Sequence, residues 1–210
     1  MKVIVDTLVL TDAAGSVADA LSAARLDAQR RGRVVVEAIL DGQTLPDGAL
    51  SDPSSALSPA KELRFVTADP AELVCSTLRG VASLIGDLKA DQSAAASMLM
   101  EGKVSEAMDR LHSALRAWQT IRDAVMDGTT LLGLKTEAIS VPGKDATEGP
   151  LSERIRSLAD CLHEVKRSIG AEDWSGLSDV LGYDMQDQAD VWEASLSGLA
   201  DKVWGGGARA

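Results

Sequence analysis

Val74, Leu78, Val81, Ile85, Leu88, Gln92, Ala95 and Leu99 succeed one another at alternating steps of four and three. That spacing keeps the side chains on one stripe of an α-helix, because it averages 3.5 residues against a natural 3.6. Most of the stripe is aliphatic, so it must be buried. Asp69-Pro70 supplies a cap and a first helical position, and the helix is predicted to run to about Met100, with Gly102 as its stop. Gln92 is the one polar residue of the seam. It is either buried and hydrogen-bonded, setting register, or it marks a place where the seam opens to solvent.

Three more stripes follow. Val104, Met108, Leu111, Leu115, Trp118 and Val125 predict a second helix, from about Lys103 to Asp127, with Arg122 at its flank and Gly128 closing it. Ile155, Leu158, Leu162, Val165 and Ile169 predict a third, capped by Ser152 and ended by Gly170. A fourth is predicted from about Asp173 to Trp204, through Leu177, Leu181, Met185, Ala189, Trp192 and Leu196. Ser140 to Pro150 reads as a loop. Helices joined by short connections favour an antiparallel bundle with coiled-coil-like seams over residues 69–204. Residues 205–210 read as a disordered tail.

Residues 1–68 carry a different period. Met1 to Leu10 is β-rich, with Val3, Val5, Leu8 and Leu10 expected inward and Asp6-Thr7 as a tight turn. A helix follows, capped by Ser16, burying Val17, Leu21, Ala24 and Ala28 and ended by Gly32. Arg33 to Leu40 is the clearest strand, Asp41-Gly42 a turn signal, and Lys61 to Thr67 a last strand with Leu63 and Phe65 on one face. Residues 46–60 hold three prolines and four serines and read as a surface loop. Strand, strand, helix, strand, strand is the order of a β-grasp, the ubiquitin-like arrangement. The expected fold class is therefore α+β: a small β-grasp-like N-terminal module followed by an antiparallel bundle of about four long helices.

Candidate chemistry is sparse. His163 lies near Asp160, Cys161 and Glu164, but Cys161 and His163 are two apart on a helix and point about 200° apart, so they cannot share one ion. A pairing of His112 with Cys161 across the bundle has no strained or glycine-rich turn to support it, and an inert helical thiol is the better reading. Gly143-Lys144 lacks the first glycine and the preceding strand of a phosphate-binding loop. Gly205-Gly206-Gly207 invites comparison with ubiquitin-like carriers, yet it follows a helix and is itself followed by Ala208-Arg209-Ala210. No catalytic residue, metal or cofactor is expected.

Charge narrows the partners. The formal net charge of -11 repels phosphate backbones, and the one dense basic cluster, Arg25, Arg30, Arg31 and Arg33, reads as a solvated helix end. Nucleic acid is not expected. No apolar run reaches the about 20 residues needed to span a bilayer. Two cysteines without CxxC spacing, and an N-terminus without signal-peptide features, lead to an expectation of a cytoplasmic protein with no membrane partner.

The densest collection of unusual residues runs from Asp173 to Met185 and holds the only tyrosine. Aromatic residues with polar tips anchor interfaces. Trp174, Asp179, Tyr183 and Asp184 are therefore the candidate partner-binding residues, and the acids favour a basic partner. The alternative is a helix start whose Trp and Tyr cover the bundle end.

Val35 to Leu45 (VVEAILDGQTL), Phe65 to Leu73 (FVTADPAEL) and the Asp-x-x-x-Tyr-Asp run from Asp179 that precedes Trp192 together resemble a family of uncharacterised bacterial proteins. The resemblance implies the same two-part layout and no established activity. The expected function is a non-catalytic protein–protein interaction protein: an adaptor, assembly factor or chaperone-like protein. The alternatives are an enzyme whose site forms only on folding and a structural homo-oligomer built through the helices. An exposed apolar groove favours the first, and a deep cleft with clustered polar groups favours an enzyme.

Overall fold

A computed structural model describes residues 1–11, 16–46 and 61–207, and the chain divides into two compact units, Met1–Leu73 and Val74–Ala210. The chain is α+β, with a small mixed sheet and several helices.

In the first unit, β1 (Lys2–Val5) turns at Asp6, which adopts φ 55°, and pairs antiparallel with β2 (Leu8–Thr11). The Ser16 side chain accepts from the Asp19 amide at 3.1 Å and starts α1 (Val17–Arg30), as its capping position predicts. β3 (Val34–Leu40) turns through Asp41 and Gly42, both at positive φ, into the short β4 (Gln43–Thr44). β5 (Glu62–Ala68) then lies between β1, to which it is parallel, and β3, to which it is antiparallel. The sheet order is β2-β1-β5-β3-β4.

Val3, Val5, Leu63 and Phe65 point from the sheet onto Val17, Leu21 and Ala24 of α1 and form a dry core. Leu10 packs on its margin, but Leu8 is 56 % exposed rather than inward, because it sits at the hairpin end of an edge strand. The expected loop at residues 46–60 lies outside the described residues from position 47 onward. Asp6 ties the sheet end together: its carboxylate accepts from Thr67 N and Thr67 Oγ1, both at 2.8 Å, and from Arg31 at 3.2 Å.

Asp69 Oδ1 accepts from the Ala71 and Glu72 amides at 2.8 and 3.1 Å and caps α2 (Pro70–Ala82). The expected single helix is interrupted here. Ser83 Oγ donates to Gly80 O at 2.6 Å, the Ser83 and Leu84 amides bond to Gly80 and Val81, and α3 (Ile85–Met100) begins without a side-chain cap. A serine competing for a helix carbonyl tightens the turn. The stripe survives the break, with Val74, Leu78, Val81, Ile85, Leu88 and Leu99 all buried.

α4 (Val104–Leu131) runs past Gly128, which is buried inside the helix rather than closing it. A Cβ there would come within 2.9 Å of Val74 Cγ1, so glycine is present for close approach. Gly133, at φ 62°, follows the helix end instead.

Ser140 to Pro150 is a hairpin and not a loop: β6 (Ser140–Pro142) pairs antiparallel with β7 (Glu148–Pro150). Its two prolines and two glycines hid it from pattern reading. It is fixed to the last helix by bonds from Ser195 Oγ to Pro142 O at 2.8 Å and from Lys202 to Glu148 at 2.9 Å.

α5 (Leu151–Gly170) starts one residue before Ser152, which does not cap it. The Leu151 and Ser152 amides bond instead to the Ile139 and Thr136 carbonyls. The predicted fourth helix is three pieces: α6 (Trp174–Asp179), a π-helical turn at Val180–Asp184, and α7 (Met185–Gly207). Leu177, Leu181, Met185 and Ala189 are spaced by fours and all buried, and the wider turn absorbs the residue that regular α-helix would rotate off the face. The expected tail does not begin at Gly205, since α7 continues through Gly207; the rest of that expectation falls on residues 208–210, which lie outside the described residues.

Candidate interaction groove

α3 packs against α4, α6 and α7, and α5 packs against α6 and α7. Between α4 and α5 lies a groove of about 340 Å³. Leu115, Trp118, Gln119, Arg122, Val125 and Met126 form its α4 wall. Ile155, Leu158, Ala159 and Leu162 form its α5 wall, and Trp192 of α7 reaches it from below. Trp118 and Trp192 are 2 % and 1 % exposed and meet edge to face, so the floor is rigid and aromatic. Gln119, Arg122, Met126 and Ala159 are exposed, which leaves the groove open to solvent along its length.

Gln92 sits beneath this floor with no exposure. The amide orientation that satisfies both of its ends lets its oxygen accept from Trp118 Nε1 at 2.8 Å and its nitrogen donate to Met185 O at 3.3 Å. Gln92 thus joins α3, α4 and α7 at one point. The Trp192 indole nitrogen is buried and has no acceptor among the described residues.

Chemically, the groove has no converging acid and base. Gln119 and Arg122 are its only polar side chains besides the two indoles, and Arg122 donates to Asp123 through both Nε and Nη2, at 3.0 and 2.6 Å. Such walls can hold apolar groups, and they offer neither a nucleophile nor a general base.

The residues singled out by sequence lie elsewhere. Asp173 caps α6 by accepting from the Gly176 amide at 2.9 Å, and Trp174 is half-buried just inside that cap. Asp179, Tyr183 and Asp184 are exposed, Tyr183 at 73 %. Asp184 shares the wall of a shallow depression with Asp160, Cys161, His163 and Glu164. Both Cys161 and His163 therefore border one hollow, despite lying two apart on the helix. Burial pushes the Cys161 thiol up, and the carboxylates of Asp184, Asp160 and Glu164 push it further, so it is not an activated nucleophile. No group of three or more potential ligands could hold a metal among the described residues.

A second polar cluster fastens the hairpin to α7. Asp190 accepts from Lys89 at 2.5 Å and from Lys144 at 3.0 Å, and Lys144 also reaches Asp187 at 2.7 Å. The lysine contacts, Lys89 first, hold the Asp190 carboxyl below its ordinary range. Lys144 Nζ thus bridges Asp187 and Asp190 of α7.

Comparison with protein-family models, with curated proteins and with solved structures finds no match. No helix among the described residues is long and apolar enough to cross a membrane.

Sequence reasoning placed Trp118, Ile155, Leu158, Leu162 and Trp192 on buried stripes but missed that the α4 and α5 stripes face an opening. A signal was present. Gln119, Arg122 and Ala159 interrupt large aliphatic positions at the same helical phase.

Proposed function

We propose that this chain is a non-catalytic protein–protein interaction protein, an adaptor, assembly factor or chaperone-like protein acting in the cytoplasm. The observation that carries the reading is the open apolar groove over Trp118 and Trp192, which lacks any acid–base pair. An aromatic floor held by buried packing suits an interaction site, where a few rigid anchors dominate affinity. The enzyme alternative has less support, because in the hollow lined by Asp160, Cys161, His163, Glu164 and Asp184, burial and the three carboxylates push the Cys161 thiol up, away from an activated nucleophile. A structural homo-oligomer remains the other alternative.

Two finer structural readings belong with this proposal. The order β2-β1-β5-β3-β4 with parallel β1 and β5 supports a β-grasp for the first unit. The pairs Arg79–Asp201 and Lys89–Asp190, with residue numbers rising from α2 to α3 as they fall along α7, support antiparallel bundle geometry in the second.

Trp174, Asp179, Tyr183 and Asp184 are proposed as a second contact surface for a basic partner. Exposure of Tyr183 beside exposed carboxylates supports it. The test is affinity capture from the native host with the full chain and with Tyr183→Ala and Asp184→Ala, each checked for native helicity. Retention of every partner at wild-type yield by both folded variants reduces this surface to a bundle cap. Capture of no protein by the wild type counts against the interaction reading itself.

A further inference from the structure

We draw no further inference here: the strongest candidate, the open apolar groove between α4 and α5, carries Asp123, Asp127 and Asp160 beside Arg122, Arg156 and Lys166, so its charge selects no partner and nothing in the structure shows what covers it.

Discussion

The rings of Trp118 and Trp192 meet edge to face, with centroids 6.4 Å apart and planes at 75°. The two residues come from α4 and α7, so this contact joins two helices directly beneath the groove. Edge-to-face pairs add about 0.5–1.5 kcal/mol beyond the area they bury. Gln92 also accepts from Trp118 Nε1, so Trp118 is tied to α3 as well as to α7.

Gln92 is the first place to test that arrangement. Gln92→Leu removes the acceptor of Trp118 Nε1 and leaves a buried donor unpaired, at a cost of about 1–3 kcal/mol. Leucine packing offsets only part of this. The urea midpoint is expected to fall with unchanged slope. A midpoint equal to or above the wild type's contradicts the hydrogen-bonded seam.

Two glycines in helical segments should respond in opposite directions. Gly128→Ala drives a Cβ against Val74 Cγ1, and overpacking of this kind costs about 1–3 kcal/mol. Gly182→Ala meets only Ala96 Cβ, at an ordinary 3.8 Å, and should stabilise by about 0.4–1 kcal/mol through the unfolded chain. Thermal melts of the two variants measure the contrast. A destabilised Gly182→Ala means that the π-helical turn itself requires glycine.

These sites show what pattern reading could reach. Ser16, Asp69 and Asp41-Gly42 act locally through caps and turns, so their roles were legible in the sequence. The seam from Val74 to Leu99 was legible because period survives a one-turn irregularity, although the break at Ser83 did not show. Gly128 was misread as a stop because its reason, Val74, lies far along the chain. The β6–β7 hairpin was missed because its prolines and glycines hide the strand pattern, and the contacts that fix it to α7, through Ser195 and Lys202, come from far along the chain. For the groove, periodicity marked Trp118 and Leu158 as inward, and Gln119, Arg122 and Ala159 marked an interruption of the stripes but not the width of the space between α4 and α5. That depends on how the helices pack.

Acid should weaken both units. Burial acts to raise the Asp6 carboxyl, but bonds from the Thr67 amide and hydroxyl and from Arg31 outweigh it, and its pKa is lowered; Lys89 and Lys144 lower that of Asp190. A carboxyl whose folded pKa lies below its unfolded value of about 3.9 contributes stability above that value, and this is lost as pH falls through the folded pKa. Lys144, raised by Asp187 and Asp190, contributes below its ordinary value of about 10.4 and loses that only above it. The urea midpoint should therefore be flat from about pH 5 to 9 with respect to these groups and decline below about 4. Asp6→Asn and Asp190→Asn should each make that decline shallower. A decline as steep as the wild type's in both contradicts the assignment.

Division into two units can be tested by truncation. A fragment of residues 69–207 keeps the Asp69 cap and every helix of the second unit. It should remain helical and unfold cooperatively. A fragment without helicity, beside a folded full chain, shows that the units share a core.

The central claim is that the exposed apolar surface of the second unit exists to hold another protein. Affinity capture from the native host, comparing the full chain with Ala159→Trp, tests it most directly. The expected result is a defined protein retained by the wild type in near-stoichiometric yield and lost from the folded groove variant. Reproducible absence of any retained protein from the wild type contradicts the claim.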